Sequence, residues 1–412
     1  MSYTLLSRSS AVRLAASLAI AAAPAQAQYT AQSLADVIRG GRGMTESARV
    51  WGGPNFNTPA PVPRLTGAGG TVPDARDYTV PTGFDRGGDI NGARDNGVAV
   101  GSIAKTVGTT TVREAVRWNS PTDITRLGTF GVYASTEARD INSSGRLIGT
   151  ATNPTTAPGT NLGRGFYQDA GGALTALAPG SAGTLSDALA INDAGRIVGQ
   201  ANRFTGFFEQ GAAFWDPTGG TYGTASFIGN TLNGRAFDVN SSGAAVGFAY
   251  ATGPGQPARA FYWNGVTSNN ATFIPFLPIY GSTGLAAQAS ALNDAGIVVG
   301  LQSGLVGGVG SQRGFVWNSN TGVLTDLSAL IGGWVITDAV GINTLGQILV
   351  SSFNPTDFTA TRTRTWLLTP DGGSVPPPTS TVPEPASVAL TAMGLLTLVG
   401  LRARAKRTTA AV

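Results

Sequence analysis

Few residues of this 412-residue chain have types and spacing that could support chemistry. Ser102 and Lys105 match the Ser-x-x-Lys pattern of serine acyl-enzymes, but they lie in a predicted strand and lack companion motifs. The segments 140–145 and 238–243 begin like a calcium loop, yet Ala151 and Ala249 stand where that loop needs a carboxylate. We predict hairpin turns at both places, with calcium as the alternative.

The composition excludes several kinds of active site. The chain has no histidine and no cysteine, so it has no Ser-His or Cys-His pair, no disulfide and no zinc site of the usual ligand types. The acidic residues are dispersed, and no pair is singled out by spacing for acid-base hydrolysis. We therefore predict a non-enzymatic protein without catalytic, cofactor-binding or metal-binding residues.

The net charge of +4 does not indicate a nucleic-acid-binding protein. Six of the 27 basic residues lie in two terminal segments without acids, which leaves 21 basic against 23 acidic residues in the middle. Because the middle has no basic stripe, we expect no nucleic-acid partner.

A phrase of about ten residues recurs through the middle of the chain. In its clearest copy, at 191–200, Asn-x-x-Gly separates two apolar runs, which is typical of a tight hairpin turn. A second glycine follows within the next strand, as at Gly199, and a strand glycine indicates a bulge or a close backbone approach. The predicted turn residues are Asn142, Gly145, Asn192, Gly195, Asn240, Gly243, Asn293, Gly296, Asn343 and Gly346. A first, blurred copy begins at Ile90, with 92–94 interpreted as a small insertion in the turn.

The spacing of the repeats predicts an all-β fold. The turn glycines follow one another at 48 to 53 residues, which is the length of a four-stranded propeller blade. We predict a β-propeller of six four-stranded blades, closed by a strand borrowed from between Arg49 and Val80. A seven-bladed propeller, with the N-terminal stretch as a degenerate blade, is the first alternative, and a linear β-solenoid is the second.

An aromatic strand follows each second glycine, as in Phe214-Trp215 and Phe261-Tyr262-Trp263. We interpret these aromatic residues as packing between adjacent sheets. The alternative is that outward members, such as Tyr167 or Tyr262, stack on sugar rings.

Both ends of the chain carry export signals. Residues 1–27 combine Arg8 and Arg13, an apolar run and the cleavage site Ala25-Gln26-Ala27, which predicts a signal peptide and a mature chain beginning at Gln28. Near the other end, an uncharged segment at 386–401 precedes Arg402, Arg404, Lys406 and Arg407. This segment would span about 24 Å as a single transmembrane helix, and its cations would stay on the cytoplasmic side.

The predicted organisation has five parts. They are a signal peptide (1–27), an N-terminal segment supplying the ring-closing strand (28–85), the six-repeat propeller (86–370), a Pro/Gly/Ser/Thr linker (371–381) and the C-terminal segment (382–407).

Two family resemblances follow from these motifs. The phrase Ile-Asn-x-x-Gly-x-Val-Val-Gly, followed by Ala-Phe-x-Trp and Leu-x-Asp-Leu, resembles the HAF-type repeats of bacterial extracellular proteins, although the usual histidine before Ala-Phe is missing. Val382-Pro383-Glu384-Pro385, the apolar run and the basic end resemble the PEP-CTERM sorting signal of Gram-negative exported proteins. The second resemblance implies an exosortase-type processing enzyme as a partner, a transient inner-membrane anchor at 386–401, and a final location at the cell surface or in the extracellular matrix. A permanent anchor is the alternative.

These observations lead to three functional hypotheses. The first is a non-enzymatic exported protein that binds exopolysaccharide or another surface component through propeller loops or the central mouth. The second is a polysaccharide lyase or glycosidase, which a cluster of Asp, Glu, Tyr and Arg at one mouth would favour, whereas a polar but acid-poor mouth would favour binding. The third is a structural matrix protein without a specific ligand.

Overall fold

The structure is a computed structural model that describes residues 29–34, 39–53, 64–66, 70, 76–153, 163–180, 185–204, 208–250, 257–267, 270–281, 284–356 and 363–371. These residues form an all-β chain with short 3-10 helices at Pro278–Tyr280 and Leu327–Leu330. No helix within these ranges is long and apolar enough to cross a membrane. The predicted signal peptide, the sorting motif and the segment 386–401 lie outside the described residues.

The strands form antiparallel meanders, which we call units 1 to 7. Unit 1 consists of β2 (Arg39–Met44), β3 (Val50–Gly53), β4 (Arg64–Leu65) and β5 (Arg76–Asp77). Unit 2 consists of β6 (Gly88–Ala93), β7 (Ala99–Val107), β8 (Thr110–Ser120) and β9 (Asp123–Gly128). Unit 3 consists of β10 (Ser135–Ile141), β11 (Leu147–Thr152), β12 (Arg164–Gln168) and β13 (Thr175–Ala176).

Units 4 to 6 share one eleven-stranded sheet. Unit 4 contains β14 (Ser186–Ile191), β15 (Ile197–Phe204), β16 (Phe208–Trp215) and the first part of β19 (Ser226–Val239), with a small hairpin of β17 (Pro217–Thr218) and β18 (Thr221–Tyr222). Unit 5 contains the second part of β19, β20 (Ala245–Tyr250), β21 (Ala258–Trp263) and β22 (Thr272–Phe273). Unit 6 contains β23 (Gly284–Leu292), β24 (Ile297–Val306), β25 (Val309–Asn318) and β26 (Leu324–Asp326).

Unit 7 closes the ring. It consists of β27 (Val335–Ile342), β28 (Ile348–Phe353), β29 (Thr363–Pro370) and, as its outermost strand, β1 (Tyr29–Ser33), which pairs antiparallel with β29. The first strand of each unit contacts the first strand of the next, and β27 contacts β2. The described strands therefore have a β-propeller arrangement of seven units around a central channel. An N-terminal strand from a distant part of the sequence completes the last sheet.

Three details differ from the sequence prediction. The repeated phrase marks six units, but β2 to β5 add a seventh, so the alternative count matches the strand pairing better. The closing strand is Tyr29–Ser33 and not a segment between Arg49 and Val80, because that stretch is used for unit 1. The first copy of the phrase has no insertion: β6 continues to Ala93, and Arg94 stands where the other copies have Asn.

The strand aromatics pack between units. The side chains of Trp118, Trp215 and Trp263 are fully buried, and Phe214 packs against Trp263 of the next unit with ring centroids 4.9 Å apart. Tyr167 is also buried, with its ring against Tyr222 of the following unit. The predicted inter-sheet packing is confirmed, and Tyr167 has no outward face for stacking on a sugar.

The second glycine of the phrase is required by a β-bulge. A Cβ atom built on Gly199 would lie 1.9 Å from the carbonyl oxygen of Asp187 on the paired strand β14, just before the bulge. The equivalent Gly101, Gly149, Gly247 and Gly300 have backbone oxygens at 1.9 to 2.2 Å in the same way. The predicted bulge and close approach are confirmed, although the close backbone belongs to the same unit and not to neighbouring strands at the axis.

Candidate ligand site at the central mouth

The Asn-x-x-Gly turns connect the first and second strands of their units. In the clearest copy, the turn glycine Gly195 has a φ of +87° and donates its N–H to the Asn192 carbonyl. The Asn192 side-chain oxygen accepts the backbone N–H of Arg196 at 2.8 Å. The asparagine thus caps its own turn, and the glycine supplies the positive φ that closes it.

The other end of each asparagine side chain reaches the next unit. The Nδ2 atom of Asn192 donates to the backbone oxygen of Asn240 at 2.9 Å, and Asn240 donates to Asn293 at 3.2 Å. The remaining bonds of this series join Asn142 to Asn192, Asn293 to Asn343, and Asn343 to Glu46, at 2.9 to 3.2 Å. In units 3 to 7, one buried residue type therefore closes the turn and joins neighbouring units around the axis.

A second circle of contacts uses the residue after the asparagine position. The carboxylate of Asp193 accepts the backbone N–H of Ser143, and that of Asp294 accepts the N–H of Ser241, at 2.7 and 2.9 Å. Glu46 accepts both donors of Thr344, and Asp95 accepts both donors of Ser47. These four exposed acids each bind the turn of the preceding unit.

Unit 1 and unit 2 contribute residues that the sequence analysis missed. Thr45 and Arg94 take the asparagine position, and Ala48 takes the glycine position with a φ of +55°. The sequence holds a weak signal for the first of these turns. Ala48 precedes Gly97 by 49 residues, which is within the spacing of the other copies.

The turns of all seven units surround an open cavity of about 580 Å³, which we call the mouth. It is lined by residues at 44–46, 93–96, 141–143, 191–193, 238–241, 292–294, 342 and 344. Glu46, Asp95, Asp193, Asp238 and Asp294 lie among them, Arg94 is the basic member, and no tyrosine occurs in the lining of this cavity. The mouth is therefore polar and acidic.

Asp238 and one further carboxylate, Asp140, lie at the inner end of the mouth, on the strands that precede the turns. Asp140 accepts the N–H groups of Ile141 and of Ile191 in the next unit, at 2.8 and 3.0 Å. Asp238 does the same with Val239 and Leu292, at 2.8 and 2.9 Å. Burial raises the pKa of each aspartate to about 6, against the opposing effect of these hydrogen bonds. Within the described residues, no group of three or more acidic side chains is placed to hold a metal ion.

These carboxyls predict an unusual pH dependence of stability. Because their pKa is about 6 in the folded chain and about 4 when unfolded, the folded state binds more protons between those values, so the free energy of unfolding falls as pH rises. We expect a loss of roughly 1 to 3 kcal/mol per aspartate from about pH 4.5 to 7. The sequence contains no histidine that would titrate there.

Denaturant unfolding of wild type and Asp140→Asn at several pH values tests this expectation. An amide does not titrate, so the variant should lose part of the pH slope. At about pH 4.5, where the wild-type carboxyl is neutral, the two proteins should differ least. If the free energy of unfolding changes with pH by the same amount in both proteins, the prediction is wrong.

An arginine pair at the turns strengthens the joints between units. Arg196, which follows the turn glycine, binds Asp216 through two nitrogens at 2.6 and 2.8 Å. Its Nη1 atom donates to the carbonyls of Gly243 and Gly265 in the next unit, at 3.0 and 2.9 Å. Arg146 holds the equivalent position one unit earlier and donates to Tyr222.

The comparisons with known proteins define no activity for this chain. Residues 173–337 match a family model described as a protein of unknown function, DUF3466. No curated protein matches the chain. The β-propeller domain of the Trilobed protease from Pyrococcus furiosus is 10% identical, with a TM-score of 0.48, over 86% of this chain and 98% of that one. A Pyrococcus horikoshii acylaminoacyl peptidase is 9% identical, with a TM-score of 0.48, over 80% of this chain and 51% of that one. A PL25 ulvan lyase is 8% identical, with a TM-score of 0.38, over 83% and 94%. At these values the similarities do not extend to function.

Proposed function

We propose that this chain is an exported, non-enzymatic β-propeller that binds an exopolysaccharide through the mouth. The observation that carries the proposal is the mouth itself, where seven turns place backbone groups, amides and carboxylates around one open cavity of about 580 Å³. Such convergent polar groups suit a ligand rich in hydroxyls. Five carboxylates against one arginine disfavour a polyanion, so the expected ligand is a neutral glycan.

The cellular location of the protein is part of the same proposal. The predicted signal peptide would export the chain, the segment 386–401 would hold it in the membrane, and an exosortase-type enzyme would process it at Val382-Pro383-Glu384-Pro385. The body would then reach the cell surface or the extracellular matrix of a Gram-negative bacterium. The sequence motifs support this step, which fits a polysaccharide ligand outside the cell.

A second candidate function is a polysaccharide lyase or glycosidase. The five carboxylates of the mouth favour it, because an acid-poor mouth is the one expected of a binding protein. Asp140 and Asp238 favour it as well, because a carboxyl with a pKa near 6 beside the channel can act as an acid. Two observations favour binding over catalysis. Both aspartates accept two backbone N–H bonds across a joint between strands, and the mouth lacks the tyrosine expected of the acid-rich alternative.

A glycan array probed with the full chain tests the function, followed by mass spectrometry of the glycans. We expect binding of neutral glycans without change of mass. The variant Asp193→Ala/Asp294→Ala should weaken binding about tenfold or more, because it removes two acceptors from the mouth. Asp123→Ala, on the exposed outer strand β9, is the matched control and should bind like wild type. Shortened or unsaturated products would favour the lyase or glycosidase. If no glycan binds or changes in mass, the structural matrix role is the hypothesis that remains.

A further inference from the structure

Each inner strand aims one residue toward the channel by means of a bulge. The strand registers skip one residue in every unit, between Ala138 and Asp140 in unit 3 and at the matching place elsewhere. A bulge bends the strand and redirects the side chain of the extra residue. The skipped residues in units 2 to 7 are Asn91, Arg139, Leu189, Phe237, Ser290 and Val340.

These six side chains line one cavity, which we call the chamber. It has a volume of about 220 Å³ and is also lined by Trp51. The chamber and the mouth share Met44, Ala93, Asp238 and Ile342. Because the chamber is lined by strand residues that precede the turns, it lies deeper in the channel than the mouth and is entered from it.

The wall of the chamber contains donors that lack a partner. The Nε1 atom of Trp51 has no hydrogen-bond partner, although this side chain is only 7% exposed. The Nε atom of Arg139 and the Oγ atom of Ser290 are buried without a partner as well. A buried donor without an acceptor is unfavourable, so an occupant that accepts hydrogen bonds would be stabilised here.

The remaining wall is partly apolar and partly acidic. Leu189, Phe237 and Val340 supply apolar surface, while Asp140 and Asp238 supply carboxylates. A metal ion would face three donors, an anion would face two carboxylates, and an apolar ligand would leave the donors unpaired. A sugar ring satisfies all three parts of the wall, since its hydroxyls both donate and accept and its C–H face packs on apolar side chains.

We propose that the chamber binds the terminal sugar of a neutral glycan chain, while the sugars that follow lie in the mouth. This inference rests on the proposed glycan-binding function and specifies that the protein recognises chain ends. A volume of about 220 Å³ is below that of pockets for drug-sized ligands and suits a single ring. A chain lying across the mouth would place no ring at the depth of the chamber, so only an end reaches it.

A variant that fills the chamber tests the inference. Ser290→Leu adds apolar volume at a residue that lines the cavity, and Ser226→Leu adds the same volume at an exposed position of the outer strand β19. The probes are array glycans in pairs that differ only in the terminal non-reducing sugar, with the free monosaccharide as competitor. The thermal unfolding midpoint of each variant is the control for folding.

For wild type and Ser226→Leu, we expect binding to change about tenfold or more with the terminal sugar, and the monosaccharide should compete. Ser290→Leu should fold, lose about tenfold or more in binding, and no longer distinguish the pairs. If Ser290→Leu binds like wild type while Asp193→Ala/Asp294→Ala does not, the mouth binds glycan without the chamber and the inference is wrong. If wild type binds no glycan, both proposals are overturned.

Discussion

Replacing the strand glycine Gly199 by alanine should unfold or severely destabilise the propeller. The new Cβ atom would lie 1.9 Å from the carbonyl oxygen of Asp187 and 2.9 Å from its carbonyl carbon. Both atoms belong to the backbone of the paired strand, so no flexible side chain can move aside. We expect a loss of more than about 3 kcal/mol, at or above the upper end of the usual cost of overpacking.

The matched control is Gly310→Ala on strand β25. A Cβ atom built there would meet nothing within 4 Å, and this residue does not have a positive φ. Alanine should therefore be neutral or stabilise the protein by up to about 1 kcal/mol, because it restricts the unfolded chain. The urea concentrations at the unfolding midpoints of Gly199→Ala and Gly310→Ala, each compared with wild type, test this difference in stability. If Gly199→Ala loses no more than Gly310→Ala, the close approach at the bulge is not what requires glycine.

Unit 7 is the exception to the strand glycine. There Val350 takes its place, opposite Ala339, and the bulge between Ala339 and Gly341 is still present. Unit 7 also has a second register shift, between Ile336 and Asp338, and unit 5 has one at the matching place, between Leu232 and Arg235, although it keeps Gly247. The second shift therefore does not explain how Val350 is accommodated.

Much of the fold was predictable because each copy of the phrase carries the same kinds of turn and strand residues. Asn-x-x-Gly predicts a turn wherever it occurs, and the strand glycine Gly199 predicts a bulge from its entropic cost alone. The aromatic strand after it, with Trp215 as an example, predicts packing between sheets. These are local rules, and the structure obeys them in each unit that carries the phrase.

The remaining parts depend on contacts between distant segments. Strand β1 covers only five residues, and no periodicity in so short a run indicates that it pairs with β29 more than 330 positions later. Strands β4 and β5 of unit 1 are two residues long, so their sequence gives almost no strand signal. Sequence reasoning therefore undercounted the ring and located its closing strand wrongly.

The candidate site was visible in the sequence only as turn residues. Spacing places Asn192 in a hairpin, but it cannot show that the side chain reaches the next unit. The chamber could not be predicted from the sequence for a similar reason. A bulge interrupts the two-residue alternation of a strand, so the inward position of Arg139 or Phe237 follows from the observed register and not from a pattern of residue types.

Replacing Asn192 by aspartate should separate the two roles of this residue. Aspartate keeps the oxygen that accepts the N–H of Arg196 but loses the Nδ2 donor to the backbone oxygen of Asn240. Asn192 is 7% exposed, so near neutral pH the variant places a buried carboxylate against a carbonyl. We expect a loss of about 3 kcal/mol or more, from the lost bond and the desolvated charge.

Lowering the pH should restore part of that stability, because a protonated carboxyl can again donate to the Asn240 oxygen. The pKa of the introduced group should be raised in the folded state, so its destabilising effect is small below about pH 4 and grows as pH rises. Asn192→Ala removes both bonds without adding a titratable group, and its deficit relative to wild type should not change with pH. Asn264→Asp, at an exposed turn with one local bond to Val266, should cost less than about 0.5 kcal/mol. Equal, pH-independent losses for Asn192→Asp and Asn192→Ala would mean that the turn cap, and not the bond between units, accounts for the asparagine.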